Sequence, residues 1–167
     1  MPEQKILLLG DDRLYQACRV IGDGEKDLAR RVMGDLHDTL LAFRRRHGFG
    51  RAVAAPQIGE LVRLVCLDVG EPEALVNPIL SFPDPETYEL WDDCMSFPGL
   101  EVRVRRYRRC VIDYLDLAWV QHRRELEGDL AELLQHECDH LDGVLAVQRA
   151  VHPGAFRFNP GKFGAPA

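Results

Sequence analysis

A short segment near the end of the chain, His136-Glu137-Cys138-Asp139-His140, restricts the fold more than any other feature of this 167-residue sequence. Residues four apart share one face of an α-helix, so two imidazoles placed there can bind one metal ion, and the intervening Glu137 can reach a water molecule beside it. A metal ion would also satisfy buried histidines, whose unpaired polar groups cost roughly 1–3 kcal/mol each. Four leucines make this helix apolar on one side and predict that it is largely buried: Leu130, Leu133, Leu134 and Leu141.

The motif-bearing helix is predicted to begin at Asp129, with Glu132 three positions later as in a capping box, and to end at Gly143. An earlier helix is predicted over residues 25–46. Its apolar positions recur at steps of three and four: Leu28, Val32, Leu36, Leu40 and Phe43. Residues 48–56 are mostly small and predict a loop whose backbone lies close to another part of the molecule.

Strand-like runs lie between the two helices. We predict strands at residues 62–68 and 102–105, a turn at Asn77-Pro78, and a hairpin of residues 110–115 and 121–126. The order of helix, several strands and helix is typical of an α+β domain with mainly antiparallel pairing. We assign residues 1–150 to a single domain and residues 151–167, which contain several Pro and Gly, to an irregular tail.

Composition argues against polyanionic partners. The formal net charge is −6, and the basic clusters at residues 44–46 and 103–106 are interpreted as solvated edges, so we expect no nucleic-acid or membrane binding. The sequence contains no run of about 18 apolar residues and no signal-peptide core. Five scattered cysteines are typical of thiols in a reducing compartment. These features predict a cytoplasmic protein.

A catalytic metal site needs a third protein ligand and one open position. The downstream candidates are poor, because Asp142 is too close to the motif, His152 lies in the predicted tail, and no Glu follows Glu137. The best upstream candidate is Cys94, in a short polar stretch ahead of a turn. We therefore predict Cys94 as the third ligand beside the two histidines.

Three segments, taken in order, resemble the motifs of the peptide deformylase family. Residues 50–57 read Gly-Arg-Ala-Val-Ala-Ala-Pro-Gln, residues 92–96 read Asp-Asp-Cys-Met-Ser, and residues 135–140 read Gln-His-Glu-Cys-Asp-His. The resemblance spans roughly residues 5–147, and the order and spacing of three motifs are far more specific than the last motif alone. It implies an α+β fold with antiparallel sheets around a central helix that carries the two histidines.

The resemblance implies a metal-dependent hydrolase that removes the N-formyl group from the formyl-Met of nascent polypeptides. Cys94, His136 and His140 would bind one divalent metal ion. Such a donor set suits Fe²⁺, which we expect, and also Zn²⁺, Ni²⁺ or Co²⁺. The substrate would be an N-formylated peptide or a small N-formyl compound.

The same resemblance assigns the catalytic and substrate-binding residues. Glu137 would act as the general base and then as the acid. The side chain of Gln57 and the backbone N–H of Met95 would stabilise the developing oxyanion. Three further residues are predicted to border the substrate groove: Gly50, Ala52 and Glu101.

The chain departs from the family pattern around this groove. Ala52 replaces a Gly, Asp92-Asp93 replaces Glu-Gly, and Glu101 replaces a common Arg. A Glu101 that faces the groove would weaken binding of ordinary formyl-Met peptides and favour a neutral or cationic, smaller substrate. The alternative is that Glu101 turns to solvent and pairs with an arginine of its own strand, Arg103 or Arg105.

Two other functions stay open at this point. One is an amidohydrolase of the same fold that acts on another N-formyl or N-acyl compound. The other is a non-catalytic metal-binding relative. Gln57 and Glu137 argue against the second, because a structural metal site needs neither residue and is closed by a fourth protein ligand.

Overall fold

The computed structural model describes residues 3 to 159 and residue 161 of the chain. Its two α-helices are α1, Lys26–His47, and α2, Gly128–Leu141. The described part of the chain contains eight strands: β1 Ala52–Ala54, β2 Leu64–Asp68, β3 Pro72–Ser81, β4 Thr87–Asp93, β5 Leu100–Tyr107, β6 Arg109–Leu115, β7 Gln121–Glu127 and β8 Phe156–Phe158.

The strands form two antiparallel sheets. A five-stranded sheet has the order β1-β2-β3-β6-β7, and a three-stranded sheet has the order β4-β5-β8. Helix α2 carries the histidine motif and contacts strands of both sheets. The predicted α+β class is confirmed, and α2 lies where side chains from both sheets can meet its polar residues.

Strand β2 shows how the larger sheet packs between the helices. Successive side chains of a strand point to opposite faces. Val65 and Leu67 belong to the apolar cluster that contains Leu134 of α2, whereas Leu64 belongs to the cluster that contains Leu36 of α1. Every residue of β2 is buried as a result, and α2 is held against one face of the sheet.

Both predicted helices are present, within a few residues of the expected bounds. The predicted capping box is wrong, because α2 begins at Gly128 after the N-cap residue Glu127 and has no side-chain cap hydrogen bond. Gly143 does follow the end of α2, with a φ of 73°, and a Cβ there would lie 2.7 Å from the Tyr15 carbonyl oxygen. No helix among the described residues has the length and apolarity needed to cross a membrane.

The predicted turn at Asn77-Pro78 is also wrong. Strand β3 continues through these residues, and its pairing with β6 shifts register between Val76 and Ile79. Asn77 adopts a φ of 51° at this irregularity, and its side chain accepts a hydrogen bond from Ile21 N and donates one to Ile21 O. The turn-forming residues therefore produce a bulge within a strand.

The three-stranded sheet contains the largest departures from the sequence analysis. Strand β4 was not predicted, yet it pairs with β5 along its whole length. The predicted irregular tail contains β8, which pairs with residues 100–102 of β5. Hydrogen bonds to the edge of β5 stabilise this short strand, although several turn-forming residues flank it in the sequence. Pro160 and residues 162–167 of the predicted tail lie outside the described residues.

Candidate metal centre

The side chains of Cys94, His136 and His140 converge at one buried point. Cys94 Sγ lies 3.2 Å from His140 Nε2, which lies 3.2 Å from His136 Nε2. One ligand atom from each residue falls within 4.8 Å of the other two, and all three residues are buried. The fold therefore brings together the ligand set predicted from the sequence.

Local structure positions each of these side chains. The histidines lie on one face of α2 because they are four residues apart. Cys94 directly follows β4, where Phe97 N donates a hydrogen bond to the Cys94 carbonyl and closes a tight turn. The pairing of β4 with β5 sets the position of that turn. The turn then directs the Cys94 thiol toward α2.

Asp92 orients the first histidine. The His136 Nδ1 lies 2.9 Å from one Asp92 carboxylate oxygen and 3.0 Å from the other, so Nδ1–H donates to the carboxylate and Nε2 is free to bind a metal ion. Burial lowers the pKa of His136, but Asp92 and Cys94 outweigh burial and raise it well above its usual value, so a metal ion that binds Nε2 displaces a proton from it. Burial, followed by the effect of His136, lowers the pKa of His140 well below its usual value, which favours the neutral ligating form.

A buried arginine connects the Asp92 carboxylate to the far side of α2. Arg106 Nη2 lies 3.0 Å from Asp92, and Nη1 donates to Asp139, which also accepts a hydrogen bond from Arg149. The interpretation of residues 103–106 as a solvated edge is therefore wrong for Arg106, which is 4% exposed. The alternation along β5 explains this burial, because Arg106 shares a strand face with the buried Val102 and Val104.

The donor set fits a divalent metal ion. One thiol and two imidazole nitrogens converge at one point, and the Asp92 contact is the type of outer hydrogen bond that orients ligating histidines. Two buried polar atoms beside the cluster, Glu137 Oε2 and His140 Nδ1, have no hydrogen-bond partner among the described residues. Burial, the largest effect, raises the pKa of Glu137 to about 7.

Gln57 lies against the thiol side of the cluster. Its Nε2 lies 3.5 Å from Cys94 Sγ and donates to Ser96 Oγ at 3.3 Å, while its Oε1 accepts a hydrogen bond from Ala54 N at 2.9 Å. Because Oε1 is held by the backbone, the amide N–H₂ of Gln57 points toward the cluster. Met95 is the next residue after Cys94, so its backbone N–H belongs to the same turn.

A cavity of about 610 Å³ opens beside the cluster. Gly50 and Ala52, both predicted to border the groove, line it together with Gln57, Met95 and Glu137. Gly50 adopts a φ of 125°, and a Cβ there would lie 3.1 Å from the Met95 side chain. The predicted close approach of the backbone in this segment is therefore observed. The remaining lining includes charged and apolar residues: Arg44, Arg51, Leu90, Trp91, Asp92, Asp93, Asp129, Glu132 and Leu133.

Glu101 does not occupy the predicted position. It is 4% exposed, does not line the cavity, and forms an ion pair with Arg157 of β8 and a 3.3 Å hydrogen bond with Asn159. Both expectations for Glu101 are therefore wrong, because Arg103 and Arg105 instead pair with Glu89. The reason is β8, which places Arg157 opposite Glu101 in the strand register.

Glu132 makes folding stability depend on pH. Burial, reinforced by Asp92, raises the pKa of Glu132 from 4.5 to about 7. The folded carboxyl group keeps its proton up to about pH 7 and the unfolded one loses it near pH 4.5, so the stability of the native state falls as the pH rises between these values. We expect Glu132→Gln to raise the free energy of unfolding of the metal-free protein by roughly 3 kcal/mol at pH 8 and by much less at pH 5.

Urea unfolding of both proteins at the two pH values measures this difference. Glu125→Gln, which changes an exposed carboxylate on β7, is the matched control and should change stability equally at both values. An equal effect of Glu132→Gln at pH 5 and pH 8 would contradict the buried, protonated state of Glu132.

Comparison with known proteins decides the family. The family model for polypeptide deformylase matches residues 3–155. The chain belongs to the polypeptide deformylase family. It is 34% identical to peptide deformylase 1 of Prochlorococcus marinus, over 95% of this chain and 86% of that protein. It is 40% identical to the peptide deformylase of Thermotoga maritima over 146 residues, which are 87% of this chain and 85% of that protein.

Solved structures agree with this family. The crystal structure of peptide deformylase from Thermotoga maritima matches with a TM-score of 0.81 and 31% identity, over 91% of this chain and 100% of that one. Peptide deformylase from Synechococcus elongatus, in complex with actinonin, matches with a TM-score of 0.82 and 28% identity, over 92% and 81% of the two chains. The predicted family is confirmed, and with it a metal-dependent hydrolase of N-formyl amides. The non-catalytic alternative is therefore no longer needed.

Proposed function

We propose that this protein removes the N-formyl group from the formyl-Met of nascent polypeptides in the cytoplasm, with Cys94, His136 and His140 as the ligands of one divalent metal ion. The observation that carries the proposal is the buried Cys94–His136–His140 cluster, of which Cys94 and His136 line the same cavity as Glu137 and Gln57. When bound, the metal ion supplies Lewis acidity, which lowers the pKa of water and polarises a carbonyl group.

Glu137 moves the proton in the proposed reaction. Water adds to the formyl carbon while Glu137 takes one of its protons, and the carbonyl oxygen becomes an oxyanion. The C–N bond then breaks, and Glu137 passes the proton to the leaving nitrogen, so that formate and a free amine result. A raised pKa suits this role, because a carboxyl group with a pKa near 7 both accepts and releases a proton near neutral pH.

Gln57 and Met95 stabilise the charge that develops on the oxygen. The Gln57 amide is preorganised by the hydrogen bond from Ala54 N, and the Met95 N–H follows the ligand Cys94 in the turn. Preorganised donors of this kind each lower the barrier by about 3 kcal/mol. Gly50 and Ala52 form the small-residue wall that lets a substrate backbone approach these donors.

The test is an assay of anaerobically prepared, Fe²⁺-loaded protein with formyl-Met peptides. We expect formate and a free amino terminus in equal amounts. Protein that carries one metal ion per chain and releases no formate from any formyl-Met peptide would contradict the proposed function.

Oxygen sensitivity identifies the metal ion. We propose Fe²⁺, with Zn²⁺, Ni²⁺ or Co²⁺ as alternatives, since a thiolate with two imidazoles suits all of these. Air should inactivate the Fe²⁺ protein within hours, because both the iron and the Cys94 thiolate can be oxidised, whereas Zn²⁺ has no redox chemistry. Activity of freshly isolated protein, followed in air and under nitrogen, measures this. A native enzyme with full activity after hours in air would rule against iron.

A further inference from the structure

One wall of the active-site cavity carries an ion pair that the proposed reaction does not use. Glu132 precedes His136 by four residues, so both face the same side of α2, and both line the cavity. Arg51 directly precedes β1 and lines the same cavity. Its Nη2 lies 3.8 Å from Glu132 Oε2, which is an ion-pair distance longer than a hydrogen bond.

The Glu132 carboxylate is poorly satisfied for a group so deep in the protein. Its side chain is 13% exposed, and no hydrogen bond to it occurs within the part of the chain that the structure describes. The raised pKa of this group, caused mainly by burial, is consistent with that environment. The Glu132 carboxylate is only partly hydrated in this cavity. A ligand that donates a hydrogen bond to it would therefore replace the missing hydration.

The neighbours of this pair define a mixed binding surface. Leu90 and Leu133 supply apolar walls, and Asp129 adds a second carboxylate. Arg44, the other cation of the lining, is held by Asp68 and the Gly50 carbonyl. An aliphatic stem with a cationic or hydrogen-bond-donating end fits the leucine walls and the Glu132 carboxylate together. A wholly apolar side chain would dehydrate both members of the ion pair without replacing their contacts.

Resting on the proposed function, we propose that Glu132 and Arg51 determine the specificity for the side chain of the N-formylated residue. The pair extends the substrate range to N-formyl compounds whose side chain ends in a cationic hydrogen-bond donor. A substrate whose formyl group reaches His136 and Glu137 enters this cavity, because both residues line it, and we place the substituent on its formyl nitrogen against Glu132. Glu132 accepts the hydrogen bond, and Arg51 neutralises the carboxylate when the cavity holds no such substrate.

Matched formyl tripeptides test the proposal. Formyl-lysine and formyl-norleucine peptides have side chains of the same four carbons, and they differ only in the ammonium group that lysine carries on the last of these carbons. For the metal-loaded wild type at about pH 8, where Glu132 is ionised, we expect kcat/KM to be about tenfold higher for the lysine peptide, the effect of one charge-assisted hydrogen bond. Glu132→Leu should reverse this order, with faster turnover of the norleucine and methionine peptides.

Glu132→Gln keeps the shape of the side chain and should reduce the preference toward one, while Glu125→Leu, on the exposed face of β7, should leave it unchanged. Metal content and melting temperature of each variant show whether the site has stayed intact. Hydrolysis of formyl-Met peptides without lysine preference, and without a change in Glu132→Gln, would overturn this inference alone. A preference for a formyl-glutamate peptide would overturn the assignment of a cationic partner. No hydrolysis of any formyl peptide would overturn the proposed function as well.

Discussion

Glu137→Gln is expected to lose hydrolysis of formyl-Met peptides by a factor of ~10²–10⁴ while it keeps its metal ion. The carboxylate is 4% exposed and lies between the two histidines in sequence, but it is not one of the three converging ligand atoms. A Gln side chain has nearly the same volume, so the helix and the histidines should keep their positions. The amide cannot carry a proton from water to the leaving nitrogen, which is why kcat should fall.

Metal analysis and steady-state kinetics of the same preparation decide this prediction. Bound metal should remain at one ion per chain, and the melting temperature should not fall, since Gln removes a buried carboxyl group whose Oε2 has no partner among the described residues. Turnover near the wild-type value with metal bound would mean that another group acts as the base. Loss of the metal would mean that Glu137 helps to hold it.

Cys94→Ala is expected to lower the bound metal to less than about a tenth of the wild-type content, and activity should fall with it. Cys94 Sγ is one of three ligand atoms, and Ala leaves two imidazoles to hold the ion. Cys138→Ala is the matched control, because Cys138 is also a buried thiol but lines a different cavity, on the Asp139 and Asp142 side of α2. Burial raises the pKa of the Cys138 thiol, so it stays protonated and is a poor ligand.

Elemental analysis of the two variants, purified in parallel, measures this difference. Cys138→Ala should keep its full metal content and lose only some stability from the smaller side chain. Equal metal content in both variants would remove Cys94 from the site. Equal loss in both would point to a general unfolding effect, which circular dichroism would reveal.

The sequence alone was sufficient for the parts of the site that depend on local geometry. Two histidines four residues apart must share a helix face, and an apolar pattern on the other side of the helix indicates burial. Helix α2 and two of the ligands could therefore be predicted from the sequence. Cys94 followed because no downstream residue could complete the set. The hairpin of β6 and β7 and the α+β class likewise depend on short-range periodicity, and both were predicted correctly.

The tertiary structure decided everything that depends on partners far apart in the chain. Arg106 and Asp139 are 33 residues apart, and Glu101 and Arg157 are 56 residues apart. Strand β8 forms because the edge of β5 is available to it, so neither the tail nor the role of Glu101 could be predicted from local patterns. The sequence therefore determined which residues can bind the metal ion. The packing of two sheets around α2 determined which charged residues surround the metal-binding residues, because a buried charge is stable only where distant segments supply its partner.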